Sequence, residues 1–373
     1  MLTTIHQIDP GRADADAIRK AVDCLAGSGL VTFPTETVYG VGANAADPKA
    51  LARLRELKGR AETKPFTVHI GSRWAVDRFV PDLAGVGRRL VQKAWPGPLT
   101  LIFDVPHPEQ TQVIRDTSPE HIDAMYHAGT IGFRCPDDSV AAQLLEACPF
   151  PVVAASANPA GEPAPTDGDQ ARKALDGQVD LVLDAGHCRY GKASTIVRVT
   201  SKGYDILREG VLDARTIRRL AQLRFLLVCT GNTCRSAMGE AILRRLLAEH
   251  VGCDEDALTS SGYVVESAGT MACEGAPAST EAINALAARG IDLSYHRSTP
   301  LTLEALLRAD YILAMTAGHR ATVGAILPAA LDRCRLVDEA DVDDPMGGDT
   351  ATYALCAKRI EQALRHQLEE IPL

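Results

Sequence analysis

Nine consecutive residues, Val228 to Ser236, set a cysteine, five loop-forming residues, an arginine and a serine between an apolar run and a helix-forming run. Five residues between Cys229 and Arg235 suffice to curl Thr230, Gly231, Asn232, Thr233 and Cys234 into a loop whose backbone N–H groups face one point. That point lies at a helix N-terminus, where the dipole favours an anion. The same field favours the thiolate of Cys229, to which the Ser236 hydroxyl can donate. Arg235 can hold two phosphoryl oxygens, and Gly231 and Asn232 supply the unusual backbone angles that the curl needs. Chemistry at phosphorus also calls for an acid at the leaving atom. Asp344 stands just before Pro345, which holds it in an extended, loop-like conformation suited to that task. No G-x4-G-K-[ST] string occurs, so a P-loop NTPase is excluded.

A second constellation lies upstream. Thr32 to Gly42 follows a short strand and crowds hydroxyls, a carboxylate and glycines into one turn, with Thr35 at its start. Lys58, Arg60 and Lys64 place three cations within seven residues at a helix end, and His69 follows. Cations at that density suit a triphosphate, since each neutralises phosphate charge and arginine can do so bidentately. Thr130 and Arg134 bracket one strand, Ser156 and Asn158 end another, and Ser194 and Arg208 add a hydroxyl and a further guanidinium. Strand ends are where α/β proteins place their ligands.

Taken in order, P-T-E-T-V-Y-G, K-x-R with a following K-P, W-P-G-P-L-T, R-x-P, S-A-N and S-T-I-V over residues 10 to 212 resemble the YrdC-type threonylcarbamoyl-AMP synthase family. The resemblance implies a twisted, mixed α/β sheet with a concave site. It also implies a reaction in which L-threonine, bicarbonate and ATP give threonylcarbamoyl-adenylate and pyrophosphate, the acyl group being destined for adenosine 37 of tRNA. It assigns threonine contacts to Thr35, His69, Arg134, Ser156 and Ser194. It assigns ATP contacts to Lys58, Arg60, Lys64, Thr130, Asn158, Thr166 and Arg208, with Mg²⁺ on the phosphates and no protein nucleophile. Other tRNA-modification proteins become candidate partners.

Residues 223 to 370 resemble the low-molecular-weight phosphatase family through the Cys229 string, Ser267-Ala268-Gly269-Thr270, His296-Arg297-Ser298, Ala309 to Met315 and the Asp344-Pro345 loop. That implies a doubly wound four-stranded parallel sheet, a phosphocysteine on Cys229, a phosphorylated protein as substrate and no cofactor. Cys234 could pair reversibly with Cys229. Thr233 stands where protein-arginine phosphatases have threonine and tyrosine phosphatases a bulky aliphatic residue, and Met346 replaces an aromatic residue common after Asp-Pro. Alternatives are a double-stranded RNA-binding module in the first half, a zinc-finger carbamoyl-transfer factor, or an arsenate reductase relaying through Cys273, Cys334 or Cys356.

The elements that must position these residues follow from patterning. At 373 residues, with 46% apolar and 23% charged residues, the chain is long enough for two ordinary cores. The reading is α/β throughout, with domains at 1–221 and 222–373. Strands are expected at Leu30 to Phe33, Leu99 to Phe103, Gly129 to Phe133, Val152 to Ala155, Thr195 to Val199, Phe225 to Val228 and Tyr311 to Met315. Helices are expected at Asp14 to Leu25, Lys49 to Leu57, Ala237 to Ala248, Thr280 to Arg289 and Ala351 to Gln367. Residues 1 to 221 hold 26 basic and 27 acidic residues, a balance of -1 within a total of -9, which gives no general attraction to phosphate. The ten cysteines show no C-x-x-C pair, so no structural metal is expected and most are expected to be reduced core residues. No apolar run is long enough for a membrane span or secretory signal, and a cytoplasmic protein is expected.

Overall fold

The computed structural model describes residues 2–9, 11, 14–59, 65–117, 122–201, 203–371 and 373. It divides into two compact units, Met1–Ala221 and Gln222–Leu373.

The first unit is built on ten strands: β1 (Thr4–Gln7), β2 (Val31–Phe33), β3 (Gly40–Asn44), β4 (Thr67–His69), β5 (Leu99–Asp104), β6 (Thr130–Arg134), β7 (Val152–Ser156), β8 (Leu181–Asp184), β9 (Thr195–Thr200) and β10 (Gly203–Arg208). Their order in the sheet is β1-β8-β2-β3-β7-β4-β6-β5-β9-β10, with parallel and antiparallel neighbours mixed. Because side chains alternate across a strand, the register sorts them by face. Val41, Val68, Leu101, Phe133, Val153 and Val197 fall on one face. They are buried with the apolar sides of the helices Pro48–Lys58, Gly85–Ala94 and Ala214–Ala221. On the opposite face Phe33, Val152 and Ala154 are covered by the helices Ala15–Ala26 and Ser139–Ala147. Further along that same face Thr67, His69, Thr130 and Gly132 are only half-buried, so the sheet there is not packed under a helix layer.

The second unit contains β11 (Leu223–Cys229), β12 (Tyr263–Gly269), β13 (Tyr311–Ala314) and β14 (Cys334–Leu336), all parallel, in the order β12-β11-β13-β14. β11 is the near-continuous apolar run expected of a strand buried on both faces. Phe225, Leu227 and Cys229 face the helices Arg235–Val251, Thr280–Ala287 and Thr350–Glu370, whereas Leu226 and Val228 face Leu303–Arg308 and Ala317–Ile326. The chain leaves β11 toward β12 on one side and later returns to β13 on the other. The carboxyl end of β11 is therefore a topological switch point, where an open α/β sheet leaves a crevice. The expected strands and helices are present, with ends shifted by a few residues. Among the described residues no helix is long and apolar enough to cross a membrane.

Candidate functional sites

In the second unit Cys229 is the last residue of β11 and Arg235 the first of the following helix, so Thr230 to Cys234 form the loop between them. Cys229 is buried, and its Sγ lies 2.9 Å from Ser236 Oγ and 3.2 Å from the Asn232 backbone nitrogen. The donors can be assigned from the network. Asn232 Oδ1 accepts the Thr299 N–H at 2.7 Å, which fixes the amide orientation, and Nδ2 donates to Ser236 Oγ at 2.9 Å and Ser267 Oγ at 2.7 Å. With an oxygen lone pair so occupied, the Ser236 hydroxyl proton is directed at the sulfur. The Ser267 hydroxyl donates to Glu240 Oε2 at 2.6 Å. His296 Nε2 donates to the Asn232 carbonyl at 2.6 Å. Burial raises the Glu240 carboxyl, while Ser267 and His296 oppose the rise.

This network corrects one expectation. Asn232 takes the left-handed backbone, at φ 54°, but Gly231 does not. The three side-chain bonds of Asn232 hold it there. Arg235 is buried and donates from Nη1 to the Val342 carbonyl at 3.0 Å and from Nη2 to Asp344 Oδ2 at 2.5 Å. Asp344 is half-exposed, and its Oδ1 accepts the Met346 N–H at 3.2 Å. Cys229 and Cys234 are both free thiols, and the Cys234 sulfur lies 3.4 Å from both Ser279 Oγ and Tyr353 Oη. A thiol, a guanidinium and a carboxyl group thus surround one loop.

In the first unit, register brings the candidates together. His69 pairs with Arg134, Arg134 with Thr100, and Thr67 with Ala154, two residues before Ser156. His69, Thr130, Arg134 and Ser156 therefore share one face of the sheet. Ser194, leading into β9, joins them through an Oγ contact of 2.9 Å to Thr100 Oγ1, and its carbonyl accepts Arg208 Nη2 at 2.8 Å. Gly132 lies between Thr130 and Arg134 and leaves the face open there. Thr130 Oγ1 donates to the His127 carbonyl at 2.8 Å.

The charged groups are arranged tightly. Arg134 Nη2 pairs with Glu36 Oε1 at 2.6 Å and reaches Thr37 Oγ1 at 3.4 Å, all buried. Thr35 is buried in its own turn, its Oγ1 accepting the N–H groups of Thr37 and Val38 at 3.2 Å. His69 Nδ1 lies 3.1 Å from the Thr67 carbonyl; since a carbonyl only accepts, the proton sits on Nδ1 and Nε2 keeps its lone pair. Burial, aided by Arg134, pushes the His69 pKa down to about 4. Lys58 closes its helix with the ammonium 2.8 Å from the Ser156 carbonyl and 2.5 Å from that of Asn158, so it binds the Ser156-Asn158 turn directly. Thr166 Oγ1 lies 3.2 Å from Gln170 Oε1, and the neighbouring Pro165 carbonyl accepts the Tyr39 N–H at 2.9 Å while the Tyr39 carbonyl accepts that of Ala157, between Ser156 and Asn158, at 2.8 Å. Arg60 and Lys64 lie outside the described residues.

Sequence reasoning did not assign roles to Glu36, Thr67, Thr100, Gly132, Glu240 or His319. Glu36 sat within a quoted motif, but nothing local marks it as the partner of a residue 98 positions away.

Comparison with known proteins gives matches in both units. Residues 23–210 match the Sua5–YciO–YrdC family model, described as telomere recombination, and residues 224–372 match the low molecular weight phosphotyrosine protein phosphatase model. The threonylcarbamoyl-AMP synthase of Pyrococcus abyssi is 32% identical over 203 residues, 54% of this chain and 56% of that protein. The chain thus spans little more than half the length of that relative. The threonylcarbamoyl-AMP synthase of Cellvibrio japonicus is 30% identical over 165 residues, 44% of this chain and 82% of that one. A solved variant of Pyrococcus abyssi Sua5 shares the fold, with TM-score 0.51 and 24% identity over 71% of this chain and 91% of its own. The YwlE arginine phosphatase of Geobacillus stearothermophilus aligns over 40% of this chain and 92% of its own, with 33% identity and TM-score 0.35.

Proposed function

Because the chain belongs to the Sua5–YciO–YrdC family and continues into a low molecular weight phosphatase segment, we propose that it is a bifunctional enzyme. Residues 1–221 make threonylcarbamoyl-adenylate and pyrophosphate from L-threonine, bicarbonate and ATP, for the threonylcarbamoylation of tRNA adenosine 37. Residues 222–373 dephosphorylate a protein through a phosphocysteine.

For the first reaction, the observation that supports the reading most is the common sheet face of His69, Thr130, Arg134 and Ser156. Arg134 and Thr130 end the same strand four residues apart, about 13 Å at the usual rise, which suits a ligand with two separated polar ends. The threonine amine and bicarbonate give a carbamate with loss of water. A carbamate oxygen then attacks the α-phosphorus, and pyrophosphate departs. Arg134, His69, Thr35, Ser156 and Ser194 orient the amino acid, while Lys58, Arg60, Lys64, Thr130, Asn158, Thr166 and Arg208 serve the nucleotide and its turn. Catalysis then rests on placement and charge neutralisation. Mg²⁺ entering with ATP would neutralise charge on the phosphates.

For the second reaction, Cys229 attacks phosphorus and Arg235 with the loop amides holds the equatorial oxygens. Asp344 protonates the leaving atom, and water then cleaves the phosphocysteine. An arsenate reductase relay would need accessible thiolates. Cys334 and Cys356 are buried, and burial pushes both thiols up to about 11, which leaves the exposed Cys273 as the relay candidate to test by substitution. Thr233, small and polar at the loop, favours phosphoarginine over phosphotyrosine. Comparing the two phosphopeptides with the parent chain and Thr233→Ile tests this: the parent should prefer phosphoarginine and the variant should lose that preference. A parent that hydrolyses only phosphotyrosine would refute the substrate assignment.

A further inference from the structure

Thr230 follows Cys229 directly, and its hydroxyl ties the candidate phosphate loop to a histidine outside it. Thr230 Oγ1 lies 2.9 Å from His319 Nε2 and 3.5 Å from Arg235 Nη2. His319 is buried near the start of the helix Ala317–Ile326, and its Nδ1 stands 2.8 Å from Thr316 Oγ1. Thr316 caps that helix by accepting the His319 backbone N–H at 3.2 Å.

Burial and the charge of Arg235 lower the His319 pKa, with Asp341 and Asp344 opposing, so the ring is neutral near pH 7. In the tautomer with Nδ1–H on Thr316, Nε2 accepts the Thr230 hydroxyl and a lone pair of Thr230 Oγ1 is left for Arg235.

The need for such a device follows from Asp344. In this structure one Arg235 nitrogen is held by Asp344 Oδ2, yet the proposed reaction turns that carboxyl toward the leaving atom. Arg235 then keeps two neutral anchors, the Val342 carbonyl through Nη1 and Thr230 Oγ1 through Nη2. Without His319 the Thr230 hydroxyl is free to rotate and present its hydrogen toward the guanidinium. On the phosphatase reading above, we propose that His319 is a positioning residue: it fixes the Thr230 hydroxyl so that Arg235 stays seated while Asp344 works.

The test is hydrolysis of p-nitrophenyl phosphate by the full chain, with inorganic phosphate as competitive inhibitor. His319→Ala and Thr230→Val should each lower kcat/KM about tenfold, the scale of one lost hydrogen bond to a charged group, and weaken phosphate inhibition similarly. The double variant should be no worse than the poorer single variant, because both changes remove one linkage. His319→Gln, whose amide oxygen can accept the same hydroxyl, should recover most of the loss. Unchanged kinetics in His319→Ala, multiplicative losses in the double variant, or no recovery in a folded His319→Gln would overturn the proposal. Should His319→Ala not fold, the Gln and Val variants decide alone. Absence of turnover by the parent chain would instead refute the phosphatase reading on which the proposal rests.

Discussion

Arg134 and Glu36 form a buried ion pair, with Nη2 2.6 Å from Oε1 and only 4% and 1% of the two side chains exposed. Among the described residues the second Glu36 oxygen, Oε2, is buried without a hydrogen-bond partner. The pair sets the orientation of the guanidinium that the synthase reading places against the amino acid. Two desolvated charges that satisfy one another at a single contact are sensitive to the loss of either.

Replacing Glu36 by alanine leaves Arg134 buried and unpaired, and should lower the stability of the first unit by about 3–5 kcal/mol in urea unfolding. Glu36→Gln retains an acceptor and should cost less, about 1–3 kcal/mol. Equal stability of Glu36→Ala and the parent would show that the pair is not formed in solution.

His69 gives the first unit a defined pH response. Its folded pKa, about 4, lies below the ordinary value of 6.5, so between those values the unfolded chain binds more protons than the folded one. Stability from this group is present above about 6.5, falls as pH drops toward 4, and declines no further below that. Urea midpoints of the parent and His69→Gln, measured across this window, should converge as the pH falls. Parallel curves would place the ring in water.

Gly269 tests the packing behind the phosphate loop. A Cβ built there would lie 2.5 Å from the Thr230 carbonyl and 2.9 Å from the Asn232 nitrogen, both backbone atoms. Gly269→Ala should therefore displace the loop, cost about 1–3 kcal/mol and cut phosphatase kcat/KM at least about tenfold. Full activity in Gly269→Ala would mean that the loop is not held against β12.

Asp344→Asn should matter in proportion to leaving-group basicity. Loss of a general acid typically costs about 10²–10⁴-fold when the leaving atom needs a proton, and far less for p-nitrophenolate. Rates with phenyl phosphate and p-nitrophenyl phosphate give the contrast directly. Equal losses with both would assign Asp344 to holding Arg235 alone.

Proximity among contiguous residues was legible in the sequence, and proximity assembled by register was not. Cys229, Arg235 and Ser236 sit in one strand-loop-helix string, so their spacing alone indicates a cradle. Asp344 became a candidate only in company with that string, since an Asp-Pro pair by itself reads as a turn; its carboxylate lies 2.5 Å from Arg235 Nη2. His69 and Arg134 could be named as candidates, but their adjacency depends on β4 lying parallel to β6 with β7 on the other side, an arrangement that no local pattern encodes. Glu36 and His319 eluded the reading for the same reason. Gly231 was expected to take the unusual backbone angle with Asn232; the loop instead uses Asn232 alone, because that side chain finds three partners from elsewhere in the unit.

The most direct test of a two-reaction chain is to measure pyrophosphate release and p-nitrophenyl phosphate hydrolysis on one purified preparation, alongside Cys229→Ser and Arg134→Ala. Pyrophosphate should form only when ATP, L-threonine and bicarbonate are all present, Cys229→Ser should lose hydrolysis alone, and Arg134→Ala should lose pyrophosphate release alone. Pyrophosphate release that ignores threonine or bicarbonate, or hydrolysis that persists in Cys229→Ser, would contradict the account.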